Sequence, residues 1–355
     1  MTLRVVIFGG GIAGLAAAIG LKKLGASVKV VERVAQYRPI GHAFNLLPNG
    51  LWAAKVLGVA SALQDRGVRI VRVLKTDFDD QILVDHVPDN ARVLLRHDLH
   101  EALLTALGSA CVRMGVALDQ IDSNPEEGLA CARLSDGTII EGDFFIAADG
   151  VDSTVRAQLF PNAALNPVKV WELVASPYAP DVASALGETF RERIDTAGGV
   201  AYGFASVGGG RVVWFLQIDA NRYPPPADAV AKQSLATTLM DMRSPLIDAI
   251  LRATDFDDCH LWSNTDMAPL PRFHVDRTAL LGDAAHPMVS FSVQGMNSAL
   301  EDAATLMLAL ESASGVVEGL AFYDRLRRPR AEQARLAGRA LMERFLAPPP
   351  PVRAL

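Results

Sequence analysis

Residues Gly9-Gly10-Gly11-Ile12-Ala13-Gly14 satisfy the pattern G-x-G-x-x-G, and Glu32 and Arg33 follow, Glu32 eighteen positions beyond Gly14. That spacing suits a dinucleotide. Gly9 permits a tight turn, Gly11 lets the backbone approach a pyrophosphate, and Gly14 lets a helix pack closely on a strand. Ile12 and Ala13 lie in the turn ahead of that helix, whose N-terminal free N–H groups and partial positive charge suit phosphate. A carboxylate at Glu32 can take ribose hydroxyls, which argues against the 2′-phosphate of NADP here; the pattern does not separate FAD from NAD. Two more stretches carry chemistry. Ala148-Asp149-Gly150-Val151-Asp152-Ser153-Thr154-Val155-Arg156 puts an acid and a glycine where parallel sheets bind ligands, with Ser153 suited to cap the next helix. Leu281-Gly282-Asp283-Ala284-Ala285-His286-Pro287 precedes Gln294-Gly295-Met296-Asn297, which starts a helix with free N–H groups for an anion.

The elements that must position these residues follow from local pattern. Arg4 to Phe8 is a β-branched run, as expected of a buried parallel strand. Leu15 to Leu24 reads as a helix, and Ser27 to Val31 as a second buried strand ending at Glu32. Asn49 to Leu57 and Asp98 to Met114 read as helices, and Val68 to Val87 as strands around Asp79-Asp80. Phe144 to Ala148 is another buried strand, and Gly208-Gly209-Gly210 joins Gly199–Val207 to Arg211–Ile218 in a hairpin. Asp228 to Met242 and Pro245 to Ala253 are predicted helices, Thr278 to Leu281 a strand, and Asn297 to Leu310 and Glu318 to Phe345 helices. The order is βαβ, then mixed strands, then an isolated βα near the C-terminus, which suggests a nucleotide domain interrupted by insertions.

Composition bounds the rest. A chain of 355 residues suggests about two domains. A formal charge of −6 argues against a nucleic-acid binder held by phosphate contacts. Three widely spaced cysteines, Cys111, Cys131 and Cys259, argue against a disulfide framework or structural zinc and fit a reducing cytoplasm. Val5 to Leu21 is uncharged, but its central glycines and its length below the ~20 residues of a membrane span make it strand, turn and helix.

Taken together, the three motifs resemble the single-component FAD-dependent aromatic hydroxylases, the para-hydroxybenzoate hydroxylase-like flavoprotein monooxygenases. They occur in that family's order: Gly9–Gly14 with Glu32, Asp149–Arg156, and Gly282–Pro287. Arg96 matches an arginine at the start of a helix near the flavin phosphates, Gly41 to Leu57 follows the family's pattern, and Tyr323 to Arg330 resembles its closing helix. The resemblance implies an α/β fold: a Rossmann-like FAD-binding domain with an inserted substrate domain built on a mostly antiparallel sheet. The expected boundaries are 1–67, 91–160 and 256–346 for the FAD domain, 68–90 and 161–255 for the substrate domain, and 347–355 as a flexible tail.

The resemblance also implies an activity. NADH or NADPH reduces FAD, and one atom of O2 passes through a flavin C4a-hydroperoxide to a small aromatic or conjugated heterocyclic substrate. Asp283 would contact the ribityl chain, and the backbone of Gly295, Met296 and Asn297 would face the flavin pyrimidine edge. Asp149 and Arg156 are tied to FAD and NAD(P)H use. With Gly9, Gly11, Ile12, Ala13, Gly14, Glu32, Arg33 and Arg96 these complete the candidate cofactor set. No metal, nucleic acid or membrane span is expected; the molecule would be a cytoplasmic monomer or homodimer. A flavin oxidase or reductase of the same fold and a non-catalytic FAD-binding protein are the alternatives. The Trp-x-Trp-x-Ile-Pro signature of flavin halogenases is absent, since Phe215-Leu216 follow Trp214.

Single residues fill in the picture. Ser290 and Val293 stand where family members commonly have Pro and Gly, beside the flavin ring. Val293 restricts backbone angles that Gly would not, so either the loop takes another path or flavin movement and the pocket are altered. No catalytic side chain is assigned, because the flavin carries the chemistry; His42 is the one candidate, facing either substrate or solvent. His286 is read as positioning Pro287 and its loop. Met288, Phe291, Tyr202, Phe204, Trp214 and Trp262 are candidates for pocket wall or plain core, and the four arginines of Arg325–Arg330 for a solvated helix face.

Overall fold

The computed structural model describes residues 2–37, 42–124, 129–241 and 244–348. Gly41, Met242 and most of the expected tail lie outside the described residues. The glycine motif joins the buried strand Arg4–Phe8 to the helix Ile12–Lys23, which is buried from Ile12 to Leu21. No helix among the described residues is long and apolar enough to cross a membrane. The strand belongs to a six-stranded sheet ordered His274–Val275, Thr278–Leu280, Phe144–Ala147, Arg4–Phe8, Ser27–Glu32, Val112–Met114. Its pairings are parallel except the first. Each of the three motifs begins where one of its strands ends. Two glycines are forced by this packing. A Cβ on Gly14 would lie 1.9 Å from the Gly9 carbonyl oxygen, and one on Gly9 (φ 105°) would lie 2.1 Å from that of Ala148.

A second, seven-stranded sheet runs His260–Asn264, Val170–Ala175, Arg211–Asp219, Val200–Gly208, Thr189–Ile194, Arg72–Asp77, Ile82–His86. It is a mixed sheet: Thr189–Ile194 pairs parallel with Arg72–Asp77, and the other neighbours pair antiparallel. Side chains alternate across it. On Arg211–Asp219 the buried Val212, Trp214, Leu216 and Ile218 pack under the helices Pro180–Leu186, Ala229–Leu239 and Pro245–Ala253, while Val213, Phe215 and Gln217 face the other way into a cavity. Tyr202, Phe204 and Trp214 are therefore core beneath the sheet, whereas Trp262, Met288 and Phe291 line the cavity. Two three-stranded antiparallel sheets complete the strands: Ala43–Leu46, Ala91–Leu95 and Val68–Ile70, and Leu118–Asn124, Leu129–Leu134 and Ile139–Gly142.

Two sequence expectations are corrected. The helix expected to Met114 ends at Leu107, because Gly108 turns to φ 85°; Val112–Met114 is instead a parallel strand beside Ser27–Glu32. The arginine cluster does not all face water. Arg327, on the 31-residue helix Val316–Leu346, is 1% exposed, and its Nε donates to the Asp302 carboxylate at 2.7 Å.

Candidate active site

The glycine turn, the Gly282-Asp283 turn and the open face of the seven-stranded sheet share one cavity of about 1750 Å³. Gly11, Ile12 and Ala13 line it at one end; a Cβ on Gly11 would meet nothing within 4 Å, so that backbone faces open space. No side chain caps the helix Ile12–Lys23, so its first-turn N–H groups stay available to an anion. Glu32 ends its strand 9% exposed; its two carboxylate oxygens accept from Gly10 N at 2.6 Å and Val34 N at 3.0 Å. Tyr37 lies against it, its phenol pushed up to about 12 by burial and by the Glu32 charge. Arg33 is exposed.

Arg96 begins the helix Arg96–Leu107 and lines the cavity. Its backbone N–H donates to the His42 carbonyl at 2.8 Å, and its Nη1 lies 3.1 Å from His42 Nε2. A guanidinium can only donate, so Nε2 accepts and the imidazole proton sits on Nδ1. His42 is 2% exposed, which removes the solvent-facing alternative. Burial, then Arg96 and His260, bring its pKa down to about 3, so it is a hydrogen-bonding group rather than a base near neutral pH. The His42 ring also touches Trp262 and His260, at centroid separations of 5.0 and 5.1 Å.

Asp283 reaches the cavity, and the surrounding protein raises its carboxyl by desolvation, against the pull of His286, Arg96 and Arg156. Its turn is tied from two sides. Arg156 Nη1 donates to the carbonyls of Asp283 and Ala284, at 3.0 and 3.3 Å. Asp302, fully buried, accepts from Gly282 N at 2.8 Å, pairs with His286 Nε2 at 2.6 Å, and pairs with Arg327. Burial alone would raise the Asp302 pKa, but His286 and Arg327 outweigh it and hold the carboxyl low. His286 thus positions its loop. Asp149 accepts from the Ser153 hydroxyl at 2.5 Å and from Val155 N at 3.2 Å, while Ser153 caps the helix Thr154–Leu159.

Gly295 and Met296 open the helix Gly295–Ser312 at the cavity. The Asn297 side chain is spent on the fold: it accepts from Leu47 N and donates to the carbonyls of Asn45 and Val293. Only its backbone is left for a cofactor. Val293 lies just before this helix at φ 57°, ψ 22°, a left-handed conformation, so the loop keeps a turn that glycine would favour and carries it on a β-branched residue. Ser290 N donates to Asn264 Oδ1 at 2.8 Å, and its hydroxyl donates to Glu172 at 2.6 Å.

Sequence reasoning missed His100, whose Nε2 lies 2.9 Å from the Gly10 carbonyl, and Glu172 with Gln217 and Asn264. Two signals were present. His100 falls four residues after Arg96, on the same helix face, and Glu172 is the one acid in the strand VWELVA.

With this geometry in hand, comparison with known proteins assigns the chain. A family described as FAD binding domain matches residues 2–336. The chain belongs to that family, the FAD-dependent aromatic hydroxylases and monooxygenases. It is 27% identical over 361 residues to 3-amino-4-hydroxybenzoate 2-monooxygenase of Streptomyces cremeus, covering 98% of this chain and 89% of that one. It is 30% identical over 341 residues to 2-heptyl-3-hydroxy-4(1H)-quinolone synthase of Pseudomonas aeruginosa, covering 93% and 86%. Klebsiella pneumoniae HpxO, solved with FAD and uric acid, shares the fold at a TM-score of 0.88 and 21% identity, covering 96% of this chain and 88% of that one.

The residues around the cavity fit FAD. An open glycine backbone, an uncapped helix start, an arginine and a second helix start face one space, and a dinucleotide's phosphates and an electron-rich ring call for those groups.

Proposed function

We propose that the chain is an NAD(P)H-dependent FAD monooxygenase that inserts one atom of O2 into a small aromatic or conjugated heterocyclic compound. In balance, substrate C–H, O2, NAD(P)H and a proton become substrate C–OH, water and NAD(P)+. The flavin, when bound, supplies the oxygen chemistry. The observation that carries this reading is the single cavity running from the Gly11 turn to the face of the seven-stranded sheet. The chain's own residues bind and orient. Gly9 to Gly14 would take the pyrophosphate, Glu32 the ribose, with Arg33 beside it, and Arg96 the phosphates. Asp283 would take the ribityl chain, held in place by Arg156 and Asp302, and Asp149 would support that end of the site by holding the Ser153 cap and the Val155 N–H. The first-turn N–H groups of Gly295, Met296 and Asn297 would present partial positive charge to the pyrimidine edge. The sheet face would be the substrate wall, belonging to a domain of residues 68–90 and 161–255 inserted into a discontinuous FAD domain in a cytoplasmic protein. The test is to purify the protein, read its visible spectrum, and follow NAD(P)H and O2 consumption with candidate aromatics, using ¹⁸O2 to label product. A colourless protein that FAD cannot reconstitute refutes the reading; product without label points to an oxidase.

A further inference from the structure

We propose that Glu172 anchors the substrate, and that the site takes an aromatic ring bearing an N–H or protonated-amine donor in preference to one bearing a carboxylate. The inference rests on the sheet face being the substrate wall. Glu172 lies directly across from Trp262 on one neighbouring strand and from Gln217 on the other, so the three form one row on the cavity face. One of its oxygens, Oε2, is saturated. It accepts from the Ser290 hydroxyl at 2.6 Å, from Gln217 Nε2 at 2.8 Å and from Asn264 Nδ2 at 3.3 Å. The Asn264 orientation is fixed independently, because its Oδ1 accepts from Ser290 N, which can only donate. Three donors converging on one oxygen are what an ionised carboxylate takes.

The other oxygen, Oε1, accepts no hydrogen bond among the described residues, and no lysine or arginine among them pairs with Glu172. By contrast Glu192, which also lines the cavity, is already neutralised: Lys75 Nζ pairs with it at 2.6 Å. Oε1 of Glu172 is open to the cavity, where a ligand N–H can replace water in a charge-assisted hydrogen bond, stronger than one between neutral groups. A ligand carboxylate at the same place would set two negative charges together, which works against binding. Trp262, beside Glu172 in the row, also lines the cavity, where an indole can contact an aromatic or a cation.

The experiment uses three probes sharing one ring and hydroxyl: 3-hydroxybenzylamine, 3-hydroxybenzamide and 3-hydroxybenzoate. Each is titrated calorimetrically into the purified protein, whose FAD content is read from its spectrum. The amine and the amide should bind at least tenfold more tightly than the benzoate, and Glu172→Gln should reduce the amine-to-benzoate ratio at least tenfold. Equal or tighter benzoate binding, binding of none of the three by FAD-loaded protein, or a Glu172→Gln variant of unchanged melting temperature and unchanged ratio overturns the proposal. If the variant does not fold, the order of the three probes on the wild-type protein decides. Selectivity without NAD(P)H oxidation would retire the monooxygenase reading and leave Glu172 as the anchor; oxidation with a preference for the benzoate would do the reverse.

Discussion

Val293 should be more stable as glycine than as alanine, an inversion of the usual order. At ordinary backbone angles Gly→Ala stabilises by about 0.4–1 kcal/mol, because alanine leaves the unfolded chain fewer states. Val293 sits at φ 57°, ψ 22°, where a Cβ costs roughly 1–2 kcal/mol and β-branching more. Its neighbours hold it there: its N–H donates to the Ser290 carbonyl at 2.8 Å, and its own carbonyl accepts from Asn297 Nδ2 at 2.8 Å. The side chain is 38% exposed, so truncation forfeits only part of its burial, and both variants lose the same two methyl groups, leaving the Cβ as the difference between them. Subtracting the unfolded-state term from the Cβ term leaves Val293→Gly ahead of Val293→Ala by about 0.5–1 kcal/mol. At roughly 2.1 cal/mol/K per residue of unfolding entropy, that is about 1 °C in melting temperature for a chain of this length. Denaturant unfolding at fixed FAD, run on both variants, resolves the difference. Alanine equal to or above glycine would refute the argument, since the loop would then not be imposing a left-handed residue.

Acid should destabilise the protein through His42. The unfolded imidazole takes a proton below about 6.5 and the native one refuses it until about 3, so stability is complete above that window and falls as pH drops through it. Between pH 7 and 5 the His42→Gln variant should lose about 2 kcal/mol less than wild type, at ~1.36 kcal/mol per unit; parallel stability–pH curves would contradict this. Asp302→Ala takes the partner from His286, leaves buried Arg327 with only its longer pairing to Glu301, and frees the Gly282 N–H, so it should cost about 3–5 kcal/mol and weaken FAD retention, read by unfolding and by flavin release. Gly14→Ala should cost several kcal/mol because its Cβ meets the Gly9 carbonyl at 1.9 Å. Gly11→Ala should cost well under ~1 kcal/mol in the flavin-free protein yet lower FAD affinity, and equal effects of the two would count against the cradle.

The nucleotide end was legible because its instructions are local. Turn, helix and carboxylate lie within Gly9–Glu32, and Gly9, Gly10 and Gly14 answer contacts made by near neighbours or by one adjacent strand. The opposite wall was not, because its parts meet only through tertiary structure: the Ser290 hydroxyl and Glu172 are 118 residues apart. Arg327 misled for the same reason. In a run of four arginines charge pattern says solvent, and only Asp302, 25 positions upstream, says core. Tyr202, Phe204 and Trp214 could not be told from Phe215 and Trp262 by type; which face of a strand each occupies is set by register across the whole sheet. Val293 was recognised as a departure, but which of two consequences followed depended on hydrogen bonds that reach it from the next helix.

The helix Val316–Leu346 behaves as a gauge of angle as well as of length. Arg327 fastens it to Asp302 beneath the Gly282 turn, and eighteen residues on, the Phe345 carbonyl accepts from Gly199 N at the base of the seven-stranded sheet. Eighteen residues are five turns at 3.6 per turn, so along an ideal helix both attachments leave the same side of the rod, about 27 Å apart, with Pro329 between them. One residue inserted between them would swing the far attachment by about 100° while moving it only ~1.5 Å. Homologous chains that join these two points by one unbroken helix should therefore differ in this stretch by whole turns or not at all.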